Sequence, residues 1–203
     1  VLSKLIAKRG WKQKIGEGEA AFYGPKLDFI FKDVLGREWQ LSTIQLDMNL
    51  PERFKLEYVD ENGKKQQPIV LHRAILGSTE RFLGILIEHY AGAFPLWLAP
   101  EQIWILPISD KCIPFANKVA EKLKAGKENL RVGVKSENET LGKKIREGEL
   151  QKIPYLLIVG EREAQSNAVS VRVRGKGNLG QMTVEEFLSK ITKELNQHKN
   201  GTF

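Results

Sequence analysis

Alternation of hydrophobic and polar residues is the main pattern in the first hundred positions. Within 26–31 every second residue is apolar, which places those side chains on one face of an extended segment. Similar segments run over 38–47 and 69–73, and a turn-forming stretch at 60–63 precedes the last of them. The pattern predicts strands of an antiparallel sheet.

A helix is predicted after the third of these segments. Ser78 is a suitable N-cap, helical spacing continues from Thr79 to about Tyr90, and Gly92 provides the end signal. The apolar face of this helix is predicted to consist of Phe82, Ile85, Leu86 and Tyr90.

After Pro100 the pattern changes to alternating short strands and helices. Strands are predicted at 103–108, 131–134, 155–159 and 170–174, and helices at about 115–124, at about 139–150 and from Val184 onward. Thr183 and Glu186 form a capping box for the last helix. The order βαβαββα is typical of a small α/β domain with a mixed sheet. We therefore predict an α/β (α+β) chain with two domains, residues 1–100 and 101–203.

The run from Gly175 to Gly180 matches the GxGxxG pattern of dinucleotide-binding loops. Only 23 residues follow Gly180, too few for the helix, strand and acidic residue that such a unit requires. We predict instead a glycine-rich hairpin or surface turn.

The net charge of the chain bears on what it binds. The chain has 32 Lys and Arg against 25 Asp and Glu, a net charge of +7. Such a balance suits a polyanion such as RNA, and it is also compatible with a merely basic surface.

Cysteine and hydropathy exclude several classes of protein. The single cysteine, Cys112, excludes an internal disulfide and, with three scattered histidines, a zinc site of usual stoichiometry within the chain. The most apolar stretch, 85–100, contains Glu88 and His89 and is too short and polar to span a membrane. A reducing, cytosol-like compartment fits, and a first residue of Val rather than Met indicates a fragment.

Several polar residues of the first half are candidates for ligand binding. Strand alternation puts Thr43 and Gln45 on one face, which either binds a small polar ligand or is the solvated face of the sheet. Arg81 falls in the first turn of the predicted helix, where a cation is poorly placed unless it binds an anion such as phosphate or pairs with Glu80 or another carboxylate. His72, between apolar neighbours, is predicted on these grounds alone to be a buried core residue.

Several stretches together carry a family resemblance by their order and spacing. They are AFYGPK at 21–26, TIQLD at 43–47, HRAILGS at 72–78 with Glu80 and Arg81, FP at 94–95 and WLAP at 97–100. From about Gly16 to the last helix the chain resembles the C-terminal part of threonyl-tRNA synthetases. The run that ends at Arg81 resembles motif 3 of class II synthetases.

The resemblance implies a ligase that makes threonyl-adenylate from threonine and ATP with Mg²⁺, and then transfers the threonyl group to tRNA(Thr). By their positions Arg81 and Lys26 are implied in catalysis. The residues implied in ATP binding are Gln40, Thr43, Ser78 and Arg81, and those implied in amino-acid binding are Tyr23 and Gln45.

A zinc ion that selects threonine over valine is also implied by the resemblance. His72 falls on its third ligand position, and the other two ligands, a Cys and a His, would lie upstream, as would motifs 1 and 2. The fragment alone is therefore expected to be inactive.

The second half resembles the anticodon-binding domain of this synthetase group. Asn138, Lys152, Glu163 and Arg172 match its anticodon-contacting positions, although Lys152 stands where the family commonly has Arg. Lys143, Lys144 and Arg146 are either phosphate contacts or a solvated helix face.

The resemblance further implies a cytoplasmic enzyme that is a homodimer at full length. The main alternative is a non-catalytic tRNA- or RNA-binding paralogue that retains the anticodon-binding domain. A ligase for proline or another class II amino acid is a third reading.

Overall fold

The computed structural model describes residues 2–126 and 128–199. Within it the chain forms two compact units, one up to His89 and one from Tyr90 onward.

The first unit is built on a three-stranded antiparallel sheet, as predicted. Its order is β1-β2-β5, with β2 in the middle. The elements of this unit are α1 Leu2–Lys8, β1 Lys26–Lys32, β2 Glu38–Asp47, α2 Leu50–Arg53, the hairpin of β3 Tyr58–Val59 with β4 Lys65–Gln66, β5 Val70–Ala74 and α3 Thr79–Tyr90.

Helix α3 has the predicted bounds. Its four predicted apolar-face residues are partly buried, and the remaining residues of the helix are exposed. Among the described residues of this unit, the buried apolar side chains are Ile6, Leu41 and Pro51.

The second unit contains a five-stranded mixed sheet of order β10-β9-β8-β6-β7. The interior strand β6 is parallel to β7 and β8, whereas β9 and β10 are antiparallel to their neighbours. The elements of this unit are β6 Ile103–Pro107, a 3₁₀ turn Asp110–Cys112, α4 Ile113–Lys124, β7 Val132–Val134, α5 Leu141–Leu150, β8 Tyr155–Val159, α6 Glu161–Ser166, β9 Ala168–Val173, β10 Gly177–Thr183 and α7 Val184–Lys199.

Helices cover both faces of this sheet, which explains why all five residues of β6 are buried. On one face, Ile103 and Ile105 belong to a core shared with α4 and α7. On the other face, Trp104 and Leu106 pack with residues of α5. Alternate residues of β6 therefore enter two different cores.

The glycine-rich run forms the predicted hairpin. Strands β9 and β10 pair antiparallel across it, and Gly175 and Gly177 both have φ of 75°, a conformation that favours glycine. Within the described residues helix α7 is the last element and no strand follows it, so a dinucleotide-binding unit is not formed there.

The segment before Pro100 belongs to the second unit. Arg174 donates to the carbonyls of Ala93 and Phe94 at 3.0 and 2.6 Å, and Gln102 donates to the carbonyl of Leu96 at 2.8 Å. Leu96 itself is buried in the second core. The second compact unit thus starts earlier than the change in sequence pattern near Pro100.

Candidate functional sites

The register of the three strands brings polar side chains of the first unit onto one face. Lys26 pairs with Gln45, and Gln45 pairs with His72, so these three residues form a row across the sheet. Asp28 and Thr43 are paired in the next row. Candidate residues from three separate stretches of sequence therefore share one surface.

Tyr23, Gln45 and His72 form a connected group in this surface. The Tyr23 hydroxyl donates to Gln45 Oε1 at 2.6 Å, and the Tyr23 and His72 rings lie 5.5 Å apart. Both residues predicted to bind the amino acid, Tyr23 and Gln45, are thus hydrogen-bonded to each other beside His72.

Asp47 lies behind His72 and was missed by sequence reasoning. Its Oδ2 is 2.7 Å from His72 Nε2, and its Oδ1 accepts hydrogen bonds from the backbone N–H groups of Asn49 and Leu50. Burial raises the pKa of Asp47, but the hydrogen bonds from His72, Leu50 and Asn49 outweigh it and hold the pKa below its usual value. The carboxylate is therefore ionised and fixed.

His72 is not the buried core residue that its neighbours in sequence predicted. Its side chain is 42% exposed, while that of Asp47 is 0% exposed. The prediction was wrong because β5 is the last strand on its side of the described sheet, and the apolar neighbour Leu71 is itself exposed.

A second group is centred on Asp28, which sequence reasoning also missed. Asp28 accepts hydrogen bonds from Lys26 Nζ at 2.6 Å, Thr43 Oγ1 at 2.8 Å and Gln40 Nε2 at 2.7 Å. The hydrogen bond to Asp28 raises the pKa of Lys26. Three residues predicted for ATP binding or catalysis are thus held by one carboxylate.

Gly24 allows the loop that carries Tyr23 to lie directly against β2. The N–H groups of Leu46 and Met48 donate to the carbonyls of Pro25 and Tyr23 at 3.0 and 3.1 Å. Gly24 has φ of 154°, and a Cβ built on it would lie 2.0 Å from the Leu46 carbonyl oxygen. No residue with a side chain fits there without moving the loop.

Replacing Gly24 with alanine is therefore expected to release this loop. A strain of about 1–3 kcal/mol should speed hydrogen exchange of the Leu46 and Met48 amides by about 5- to 150-fold. Gly36→Ala is the matched control, because Gly36 also has positive φ but has no atom within 4 Å of a built Cβ. Unchanged protection of both amides in Gly24→Ala would show that the loop is held elsewhere.

Arg81 lies in the first turn of α3. It has no carboxylate partner among the described residues. The cap is as predicted, since Ser78 Oγ accepts from the Arg81 N–H at 3.3 Å. Ser78 also donates to Glu80 at 2.7 Å, which lowers the pKa of Glu80. The predicted alternative of a pair with Glu80 is therefore wrong.

The Arg81 guanidinium is exposed and only weakly held. It lies 5.8 Å from the centre of the Trp39 ring, and Nη1 is 3.5 Å from the Gln40 carbonyl oxygen. Most of its five donors are available for an external anion.

The predicted anticodon residues lie in the second unit. Asn138 is exposed in the loop between β7 and α5. Glu163 accepts from the Gly160 N–H at 3.1 Å and from Ser170 Oγ at 3.0 Å, and Arg172 pairs with Glu149 at 2.9 Å. Glu163 and Arg172 are thus already engaged within the protein.

Two lysines of this unit donate hydrogen bonds to backbone carbonyls. Lys152 has a left-handed backbone with φ of 58°, and its Nζ donates to the Ala91 carbonyl. Lys144 is only 5% exposed, and its Nζ donates to the carbonyls of Lys135 and Pro107 at 2.9 and 3.4 Å. The prediction that Lys144 is a phosphate contact or part of a solvated face was wrong.

Within the described ranges no three His, Cys, Asp or Glu residues are grouped so that they could hold a metal ion. Among the helices of those ranges, none has both the length and the apolar character needed to cross a membrane.

Two family patterns match the two units. The pattern described as "tRNA synthetase class II core domain (G, H, P, S and T)" matches residues 2–90, and the one described as "Anticodon binding domain" matches residues 102–194. Together they account for most of the chain.

Individual relatives agree with these patterns. The chain is 56% identical over 194 residues to the threonine–tRNA ligase of Caldanaerobacter subterraneus subsp. tengcongensis, covering 96% of the chain and 30% of the relative. It is 53% identical over 191 residues to that of Acidobacterium capsulatum, covering 94% of the chain and 28% of the relative.

Solved structures point the same way. The structure described as the RNA binding domain of threonyl-tRNA synthetase from Cryptosporidium parvum Iowa II matches with a TM-score of 0.81 at 36% identity, covering 95% of this chain and 48% of that one. This chain spans about three tenths of the length of the curated relatives above. The chain belongs to the class II aminoacyl-tRNA synthetases and, within them, to the threonine–tRNA ligase family.

Proposed function

We propose that the protein to which this chain belongs activates threonine with ATP and transfers the threonyl group to tRNA(Thr). The observation that carries the proposal is the single polar face on which Lys26, Gln45 and His72 form a row. Amino-acid and nucleotide contacts must lie side by side for the two substrates to react, and Gln45 and Thr43, one from each predicted set, are two residues apart on the same face of β2.

Tyr23 and Gln45 are proposed to bind the amino acid. Their hydrogen bond to each other fixes the orientation of both polar groups before substrate arrives. Such preorganisation reduces the entropy lost on binding.

Gln40, Thr43, Ser78 and Arg81 are proposed to bind ATP, which enters with Mg²⁺. In adenylate formation the threonine carboxylate attacks the α-phosphorus in line, and pyrophosphate leaves. Arg81 is proposed to stabilise negative charge on the phosphate oxygens during this step, and its lack of a carboxylate partner among the described residues supports that role.

Lys26 is proposed to act next to the adenylate. Its ammonium is held by Asp28 at 2.6 Å, so it has a defined position and retains donors for a phosphate or ribose oxygen. Its raised pKa keeps it a cation, so it acts through charge and not as a general base.

His72 fits one ligand position of a zinc ion. In a metal-bound histidine, the ring nitrogen that does not bind the metal is usually hydrogen-bonded to a carboxylate or carbonyl. In His72 that nitrogen would be Nε2, which contacts Asp47. The Nδ1 atom has no hydrogen-bond partner among the described residues and remains for a metal. A bound zinc ion would offer coordination to the amino and hydroxyl groups of threonine, a contact that valine cannot complete.

The second unit is proposed to bind the anticodon through Asn138, Glu163 and Arg172, whose amide, carboxylate and guanidinium groups can pair with base edges. Engagement of Arg172 with Glu149 implies an exchange of partners on binding. Lys152 would contribute a point charge only. A homodimer and a cytoplasmic location remain predictions of the family resemblance.

The proposal is tested by threonine-dependent ATP–pyrophosphate exchange with the complete, zinc-loaded protein. Exchange with threonine, and not with proline or alanine, supports it. A folded, complete protein that binds tRNA but gives no exchange with any amino acid would instead identify a non-catalytic RNA-binding paralogue.

A further inference from the structure

Trp39, near the start of β2, lies beside two arginines and a carboxylate. The centre of its ring is 5.7 Å from the guanidinium carbon of Arg37 and 5.8 Å from that of Arg81. Cation–π attraction acts over distances of up to about 6 Å, so both arginines are within its range. The indole N–H of Trp39 donates to Asp33 Oδ2 at 2.8 Å. The ring is thus held at its N–H and has guanidinium groups over its face.

Asp33 fixes the orientation of this ring. Its side chain is only 1% exposed, in the turn between β1 and β2. Its Oδ1 accepts from the backbone N–H groups of Leu35 and Arg37 at 2.9 Å each, and its Oδ2 also accepts from Arg37 Nε at 2.5 Å. Burial raises the pKa of Asp33, but the hydrogen bonds from Trp39 and Arg37 outweigh it and hold the pKa at about 2. The indole is therefore anchored on a buried, ionised carboxylate.

The two arginines beside the ring differ in how their charge is compensated. Arg37 pairs with Asp33 and with Glu88 of α3. Arg81 pairs with no carboxylate of the described residues, and its contact to the Gln40 carbonyl oxygen, at 3.5 Å, is weak. Within the described ranges, only Arg81 of this pair therefore brings an uncompensated positive charge to the ring.

An aromatic face can hold a guanidinium group without competing with a phosphate for it. The attraction acts through the π face, so the N–H donors in the guanidinium plane remain available and no opposite charge weakens the pull on an anion. A carboxylate partner would occupy those donors and would have to be displaced by the substrate. Among the aromatic residues, tryptophan gives the strongest attraction of this kind.

We propose that Trp39 is a positioning residue that holds the Arg81 guanidinium in place for the phosphates of ATP, and that Asp33 fixes the indole for this purpose. Trp39 acts only through Arg81 and does not touch the reacting atoms. A guanidinium that is already positioned loses less entropy when it binds the phosphates, which lowers the barrier to adenylate formation. This inference rests on the proposed function, in which Arg81 binds ATP.

The test measures threonine-dependent ATP–pyrophosphate exchange by the complete, zinc-loaded protein. Trp39→Leu keeps an apolar side chain without a π face, and it should lower kcat by about 3- to 30-fold with an unchanged KM for threonine. Trp39→Phe keeps a ring but loses the indole N–H, so it should recover part of that loss. Trp11→Leu is the matched control, because Trp11 also has an arginine, Arg9, over its ring at 5.9 Å. It should leave exchange at the wild-type rate.

A double-mutant cycle separates this role from a merely structural one. In an Arg81→Ala background, Trp39→Leu should cause no further loss, because no guanidinium remains for the ring to position. A loss by the same factor in both backgrounds would overturn the inference, since Trp39 would then act independently of Arg81.

A measurement on the 203-residue chain detects the contact without any activity. Comparison with Arg81→Ala identifies the δ-methylene signal of Arg81 in a carbon–proton NMR correlation spectrum. That signal should move in Trp39→Leu, which removes the ring current, and should stay in place in Trp11→Leu. An Arg81 signal that does not respond to Trp39→Leu overturns the inference. Absence of exchange by the complete wild-type protein contradicts the proposed function instead, and the NMR result then still decides whether Trp39 holds Arg81.

Discussion

Replacing Arg81 with alanine is expected to reduce threonine-dependent ATP–pyrophosphate exchange by the complete protein by about 100- to 1000-fold. The estimate is the usual cost of removing one preorganised donor from charge that develops in a transition state. Arg81 suits such a role because its guanidinium lacks a carboxylate partner among the described residues and faces solvent beside Trp39. The loss should fall mainly on kcat, because the interaction strengthens as the α-phosphorus is attacked.

Two further variants make this experiment specific. Arg81→Lys keeps the charge but loses the planar fork of donors, so it should recover only part of the activity. Arg53→Ala removes an exposed arginine at the end of α2 and should leave exchange within a few-fold of wild type. If Arg81→Ala retained nearly full exchange, another cation would have to stabilise the phosphates.

The site could be predicted in part because strand alternation is visible in a single sequence. Thr43 and Gln45 are two residues apart in β2, so their common face followed directly. By the same rule Asp47 shares a face of β2 with Gln45, and Asp28 shares a face of β1 with Lys26. Both carboxylates could thus have been found from their positions in the strands.

What alternation could not supply was the register between strands. The row of Lys26, Gln45 and His72 depends on how β1 and β5 pair with β2, which no local pattern specifies. The start of the second unit was hidden for a related reason. It depends on hydrogen bonds from Arg131 and Arg174 to carbonyls in 93–99, which are distant in sequence.

Lys144 is a different case, because its burial had a sequence signal. It lies three residues after Leu141 and four before Gly148, on the side of α5 that packs against the sheet. The prediction of a solvated position was based only on the charge of the side chain. Helical spacing was the better guide.

Replacing His72 with alanine should cost the complete protein its zinc and its rejection of valine. Loss of one of three protein ligands removes most of the affinity for the metal. Without coordination to the threonine hydroxyl, the pocket must separate two amino acids of nearly equal size by packing alone. That separation is worth only about 100-fold, against about 10,000-fold or more for a site that leaves a polar group unpaired with the wrong substrate. Metal content and valine-dependent exchange measure the two effects separately.

Asp47→Asn provides the sharper version of this prediction, because it leaves His72 in place. The amide cannot supply the negative charge that fixes and polarises the imidazole through Nε2. Zinc affinity should therefore fall by about 10- to 100-fold, as measured by competition with a chelator. His89→Ala, which removes an exposed histidine near the end of α3, should leave zinc affinity unchanged. If His72→Ala and Asp47→Asn both kept full zinc content and affinity, the metal would be held without His72, and the short contact between His72 and Asp47 would serve only to fix β5 against β2.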